Sequence, residues 1–242
     1  MIRLDERGNV AIVTLNRPER RNAIDAEACA ALAVAVGEAT DSGSRVLILR
    51  GEGTNFCAGA DLTGVEDQSF ATSLRTALLA LRDAPFPTIA AVHGAALGAG
   101  TQLAIAGDLR VAAAGSRFGI PAGKLGLMVD QWTVQRLSLM VGHATARAML
   151  LSAEEVLAER AYGIGFVDRL GDLDSALAWA EEIAALAPLS LQGHKLALNA
   201  MEAEVVSDHR VESAFLRAWH SEDVAEGKAA FAERRPPKFE GR

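Results

Sequence analysis

A chain of 242 residues, half of them apolar and 23% charged, is long enough to bury a sizeable core as one compact domain. Its formal charge of −7 gives no support to nucleic acid as a partner. Cys29 and Cys57 are too few and too far apart for a disulfide framework or a zinc site, so a reducing cytoplasm is the expected setting. The opening Met1-Ile-Arg-Leu-Asp-Glu-Arg7 lacks the basic-then-apolar layout of a signal peptide.

In chain order, Val10 to Leu15 and Val46 to Arg50 read as strands. Between them Asp25 to Ala39 has apolar residues at helical spacing, with Asp25 as its N-cap. Thr88 to Gly107 carries no Lys, Arg, Asp or Glu, and that length is enough to span a bilayer. Its Ala and Gly content, His93, Gln102 and the breaks at Gly94, Gly98 and Gly100 favour a buried strand, a glycine turn and a buried helix instead. The strand is Thr88 to Val92, and the helix runs from Gly98–Gly100 toward Ala106. Asp108 to Ala113 reads as a further strand. Trp132 to Val141 and Ala144 to Ser152 read as helices parted by Gly142. Ser152-Ala-Glu-Glu155 reads as a capping box opening a helix through Ala161. Leu173 to Leu186 and Pro188 to Glu202 complete the pattern, with Pro188 suited to a first turn. Strands alternate with helices over the first two-thirds and helices dominate the rest, which predicts an α/β core with a helical tail.

Two segments share one shape, a strand or loop entering glycines and then a helix. They are Asn55-Phe-Cys-Ala-Gly-Ala-Asp-Leu62 and His93-Gly-Ala-Ala-Leu-Gly-Ala-Gly-Thr-Gln-Leu103. Spacing leaves two uses for these glycines open. They permit tight helix packing, or they let a ligand approach N–H groups that the helix start leaves unsatisfied. The five histidines show no metal-ligand spacing, and neither a P-loop nor a dinucleotide-binding glycine pattern with its downstream acid is present.

Phe56 to Leu62 and Gly94 to Leu103 resemble the two signature segments of the enoyl-CoA hydratase/isomerase (crotonase) family. Asn16-Arg-Pro-Glu-Arg-Arg-Asn-Ala-Ile24 resembles that family's opening CoA-binding turn. Phe118-Gly-Ile-Pro121, Gln135-Arg-Leu137, Ala158 to Val167 and Ser221 to Phe239 fit its later segments in order, so the resemblance spans nearly the whole chain. It implies an α/β crotonase (ClpP-like) fold of repeated β-β-α units with a C-terminal helical trimerisation region. Residues 1–188 would form the core and 189–242 the helical region. The assembly it implies is a homotrimer or a homohexamer.

Carried over residue by residue, the backbone amides of Ala60 and Ala99 would form an oxyanion hole for a thioester carbonyl. Arg20, Arg21 and Ala23 would lie along the CoA, and Ala58, Asp61 and Leu62 would flank its adenine. Phe215, Phe231 and Arg234 match positions that help close the CoA site from a neighbouring subunit, with core packing as the other reading for the two phenylalanines. Coenzyme A would be part of an acyl-CoA or enoyl-CoA ligand, with no separate cofactor and no metal.

The match has gaps. A hydratase of this family uses two glutamates, where this chain has Gln102 and Ala122. Hydration needs a base for the water proton and an acid for the carbon, and neither an amide nor a methyl serves. Ordinary hydratase activity is therefore expected to be weak or absent. Asp130 resembles an acid of the family's dienoyl-CoA isomerases and of its dehalogenases, and in that role it would face a ligand pocket bounded by apolar residues such as Leu125, Met128 and Trp132. Asp130 equally suits the N-cap of the helix beginning at Trp132. Three functions stay open: an acyl-CoA enzyme of the family, a non-catalytic acyl-CoA carrier, and an isomerase or hydrolase using Asp130.

Overall fold

The structure, a computed structural model, describes residues 1–61, 68–201 and 209–241. The strands in chain order are β1 (Ile2–Arg7), β2 (Val10–Leu15), β3 (Val46–Gly51), β4 (Thr88–Val92), β5 (Ala95–Leu97), β6 (Leu109–Ala112), β7 (Arg117–Gly119), β8 (Val156–Leu157) and β9 (Arg169–Leu170). The helices up to residue 151 are α1 (Ala26–Asp41), α2 (Gln68–Asp83), α3 (Ala99–Ala106), α4 (Gln131–Val141) and α5 (His143–Leu151). Those after it are α6 (Ala158–Gly163), α7 (Leu173–Ala184), α8 (Pro188–Met201), α9 (His209–Trp219) and α10 (Glu222–Glu233). The chain forms two compact units. One comprises Met1–Phe118 with Val156–Glu202, the other Gly119–Glu155 with Ala203–Arg242.

The first unit is built on a six-stranded sheet in the order β1-β2-β3-β4-β6-β9, with β1 antiparallel to β2 and the remaining pairs parallel. Strands β2, β3 and β4 are buried almost throughout, which is why their sequences read as continuous apolar runs. One face carries Val10, Val46, Ile48, Ile89 and Val111, packed under Ala176, Leu177, Ala180, Ile183 and Ala184 of α7. Those helix positions recur every three or four residues, and each larger side chain among them contributes roughly 1.5 to 3 kcal/mol through burial. Asp172 starts α7 by accepting from the Ser175 N–H at 3.0 Å, and Asp25 caps α1 at Ala28 N–H, 2.8 Å away, as its sequence predicts.

Two buried cations tie the back of this unit together. Arg110 donates to the Phe166, Gly107 and Asp108 carbonyls and to Asp168 Oδ2. Lys195 of α8 reaches Asp108 Oδ2 at 2.7 Å and the Phe86 carbonyl at 2.9 Å. The same Asp108 oxygen accepts from Thr88 N–H, so one carboxylate joins the start of β4 to α8.

The stretch Thr88 to Gly107 folds as strand, glycine turn, short strand and short helix. Among the described residues no helix is long and apolar enough to cross a membrane. The capping box expected at Ser152 to Glu155 does not form. Ser152 Oγ donates back to the Ala148 carbonyl at 2.6 Å and ends α5, and Ala153 turns with φ of 52°. Val156 and Leu157 then pair with β7, and α6 begins at Ala158 without a side-chain cap. The polar box is therefore spent on stopping one helix, not on starting the next.

In the second unit a short 3-10 helix, Pro121–Leu125, packs on α10 backbone to backbone. A Cβ on Gly126, whose φ is +69°, would lie 2.6 Å from the Asp223 carbonyl, and one on Gly227 would lie 2.5 Å from that of Leu125. Trp219 of α9 donates its indole N–H to the Met128 carbonyl at 2.8 Å. The acids of α10 hold the chain end. Glu226 takes both outer nitrogens of Arg235 and the Lys238 N–H, which holds its carboxyl down at about 2, and Asp223 takes the N–H groups of Glu240 and Gly241.

Candidate functional site

Residues 56–57 run beside β5 as a short parallel pair. Cys57 N–H donates to the Ala95 carbonyl and Leu97 N–H to that of Cys57, both at 3.0 Å. Each chain then turns at a glycine in the left-handed half of backbone space, Gly59 with φ of 122° and Gly98 with φ of 54°. The two turns touch. A Cβ on Gly59 would lie 3.2 Å from the Leu97 carbonyl oxygen, and one on Gly98 would lie 3.8 Å from Gly59 Cα. Gly100 is required as well, since a Cβ there would overlap the Cys57 carbonyl oxygen.

The residues that follow the two turns are Ala60 and Ala99. Ala60 bridges Ile24: Ile24 N–H donates to Gly59 O at 2.9 Å and Asp61 N–H to Ile24 O at 2.7 Å. In such a bridge the middle residue directs its own N–H and C=O to the opposite side, so the Ala60 amide points away from Ile24. Ala99 is the first residue of α3, where the N–H has no intrahelical acceptor and the helix dipole adds positive potential. Among the described residues neither N–H meets a protein acceptor. Two orphan amides on touching turns are suited to polarising a carbonyl oxygen.

The loop before this pair is the most tightly built part of the site. After the turn Pro18–Arg20, both Arg21 and Asn22 adopt left-handed conformations, with φ of 52° and 56°. Asn22 is buried to 1% exposure. Its Nδ2 donates to the Glu52 and Asn55 carbonyls at 2.8 and 2.7 Å, and its Oδ1 accepts from Arg17 N–H at 2.9 Å. Ala58 N–H donates to the Arg21 carbonyl and Ala23 N–H to that of Arg20. Arg20, Arg21, Ala23, Ala58, Ala60, Asp61 and Ala99 thus occupy one neighbourhood of the first unit. Leu62 lies outside the described residues. Sequence reasoning passed over Asn22, although an Asn among arginines after a proline turn is the type that tolerates φ > 0.

Gln102 stands on α3 one turn after Ala99 and is largely buried. Burial pushes the Cys57 thiol up to about 12, so it stays protonated and is no nucleophile near neutral pH. His93, with Nε2 2.9 Å from the Gly53 carbonyl, is pushed below its ordinary value by burial. Among the described residues no group of three or more His, Cys, Asp or Glu is arranged for a metal.

The other sequence candidates lie in the second unit. Ala122 and Leu125 are on the 3-10 helix, both partly exposed. Asp130 caps α4, accepting from Thr133 N–H at 3.0 Å, and Trp132 is buried with the Arg136 guanidinium 5.7 Å from its ring centre. Phe215 packs on Trp219 with ring centres 5.7 Å apart. Phe231 is 67% exposed, so it is not a core side chain, and Arg234 ends α10 with φ of 55°.

A family model for enoyl-CoA hydratase/isomerase matches residues 5–242. The chain belongs to this family. Among its relatives, the "Probable enoyl-CoA hydratase echA6" of Mycobacterium tuberculosis is 44% identical over 245 residues, covering all of both chains. The 2,3-dehydroadipyl-CoA hydratase of Escherichia coli is 37% identical over 250 residues, covering 96% of each. An enoyl-CoA hydratase/isomerase from Pseudoalteromonas atlantica T6c, a solved structure, is 31% identical with a TM-score of 0.88, covering 99% of each chain. Methylmalonyl-CoA decarboxylase superposes with a TM-score of 0.91 at 24% identity, covering 100% of this chain and 98% of that one, a likeness of fold alone. The fold is the crotonase fold, and the enoyl-CoA hydratase/isomerase family is one with acyl-CoA substrates.

Proposed function

We propose that this member of the family binds an acyl-CoA or enoyl-CoA thioester with the carbonyl oxygen between the N–H groups of Ala60 and Ala99. The observation that carries this reading is the pair of touching glycine turns, whose two following amides meet no acceptor among the described residues. Two donors on adjoining turns favour the charge that builds on a thioester oxygen, and one such donor is typically worth about 10² to 10³ in rate. In this reading coenzyme A arrives as part of the ligand, along the loop of Arg20, Arg21 and Ala23, and the setting is the cytoplasm.

The ligand is held or delivered more readily than it is hydrated, because Gln102 and Ala122 stand where the resemblance calls for glutamates. The cap bond from Asp130 to Thr133 N–H gives that acid a structural task, which favours the carrier over an isomerase or hydrolase built on Asp130. The exposed Phe231 fits an assembly of three or six copies, and light scattering tests it: a stable monomer at micromolar concentration rejects the oligomer.

The test of the ligand class incubates the pure protein with a panel of acyl- and enoyl-CoAs, reading binding by calorimetry and product by mass spectrometry. The expected result is saturable binding with thioesters recovered unchanged. No binding across the panel rejects the reading, and rapid product formation replaces the carrier with an enzyme.

A further inference from the structure

We infer that Asn55 is a positioning residue: its two carbonyl groups tie the loop of Asn22 to the start of β5 and so fix the spacing of the Ala60 and Ala99 amides. The inference rests on the carbonyl-site reading above. Residues 56–57 pair with β5 through Cys57 N–H to the Ala95 carbonyl and Leu97 N–H to that of Cys57. One step earlier the ladder changes. Phe56 N–H donates to the His93 carbonyl at 2.8 Å, so consecutive donors meet acceptors two residues apart, and Gly94 is the extra residue. Gly94 turns with φ of +58°, and a Cβ there would overlap the Thr54 carbonyl oxygen.

In a regular parallel ladder the next donor, Ala95 N–H, would meet the backbone carbonyl of residue 55. Here that carbonyl accepts from Asn22 Nδ2 at 2.7 Å. The side-chain oxygen of Asn55 stands in for it, accepting from Ala95 N–H at 3.0 Å, while Asn55 Nδ2 donates to Thr54 Oγ1 at 3.0 Å. Ala95 is 3% exposed, so its N–H needs an acceptor from the protein. One residue thus holds both neighbours of the site, with a backbone oxygen toward the loop of Asn22 and a side-chain oxygen toward the strand that leads to Ala99. The distances involved leave little tolerance. A register slip of one residue moves a strand by about 3.3 Å. Two donors serve one oxygen only when each lies about 2.7 to 3.1 Å from it.

The experiment measures binding of crotonyl-CoA and of crotyl-CoA, the thioether with a methylene in place of the carbonyl, to wild type, Asn55→Ala and Asn55→Asp. Wild type should prefer the thioester. Asn55→Ala should weaken crotonyl-CoA binding about tenfold, the effect of one hydrogen bond, and leave the thioether unchanged. Asn55→Asp keeps an acceptor in the same place and should bind crotonyl-CoA as wild type does. Infrared spectra of bound crotonyl-CoA should follow suit, with the carbonyl stretch returning toward its free frequency in Asn55→Ala and not in Asn55→Asp. Unchanged crotonyl-CoA affinity in Asn55→Ala overturns the inference, as does an equal loss for both ligands or a loss in Asn55→Asp as large as in Asn55→Ala. If Asn55→Ala does not fold, Asn55→Ser decides, because its hydroxyl sits one bond short of the amide oxygen it replaces. A loss confined to the thioester then supports the inference, and no loss or an equal loss overturns it. Wild-type protein that binds both ligands alike, or neither, rejects the carbonyl site itself, an outcome that no variant result imitates.

Discussion

Crotonyl-CoA hydration by this protein should run at least about a hundredfold below that of an ordinary hydratase of the family. Adding water across the double bond needs one group to take the proton of water and one to protonate carbon. The resemblance calls for glutamates at the positions of Gln102 and Ala122. A Gln amide orients a water but neither takes nor supplies a proton at neutral pH, and a methyl group does neither. Each lost acid or base costs about 10² to 10⁴ in rate, so even one intact role would leave the reaction slow. Following the enoyl absorbance under saturating substrate checks this, and a turnover number in the ordinary range sinks it. Since the resemblance implies that both glutamates serve one step, Gln102→Glu and Ala122→Glu together should raise the rate more than either change alone.

Asn22→Ala should destabilise the fold by about 3 kcal/mol, lowering the melting temperature by roughly 10 °C for a chain of this size. Three hydrogen bonds disappear inside a buried site. The Glu52 and Asn55 carbonyls lose their donor, and Arg17 N–H loses its acceptor. Alanine also tolerates the left-handed conformation less well than asparagine. Asn22→Gly separates the two causes, since glycine relieves the backbone and still lacks the amide. If the hydrogen bonds dominate, calorimetry will find Asn22→Gly nearly as unstable as Asn22→Ala. A melting temperature for Asn22→Gly close to wild type would assign the effect to the backbone conformation.

What the sequence made legible follows from how strongly each element depends on its own residues. The runs Val10 to Leu15, Val46 to Arg50 and Thr88 to Val92 are buried parallel strands, so their apolar character is continuous and easily read. Strand β1 escaped because it is a half-exposed edge: Ile2-Arg-Leu-Asp-Glu-Arg7 alternates charge with apolar residues, and its pairing to β2 is a tertiary choice. Helix α2 escaped for a similar reason, since its packing against α1 and α3 is not visible locally. Asp25 and Asp130 were legible as caps because capping is decided within four residues. The Ser152 box misled because the same residue types also end helices, and pairing of Val156 with Phe118 decided between the two.

The site divides along the same line. The roles proposed for Ala60 and Ala99 come only through resemblance, since nothing in an alanine announces an N–H that would bind a ligand. The glycines around them announce close approach, but which backbones approach is set by the pairing of Cys57 with Ala96. Asn22 and the grip of Asp61 on Arg17 and Arg20 join positions some 30 to 44 residues apart in sequence, beyond any local pattern.

A donor carried by the backbone also has an unusual exposure to mutation. Nearly every codon change at residues 60 and 99 alters the side chain and leaves the N–H in place. Proline is the exception, for its ring takes the hydrogen away. Alanine and proline codons differ by one base, so each donor stands a single transversion from loss. At residue 99 the backbone position itself tolerates that change, because the first position of a helix accepts proline. Under the proposed reading, a lineage could therefore shed acids near the carbonyl by gradual drift and keep both donors, then lose one of them in a single step.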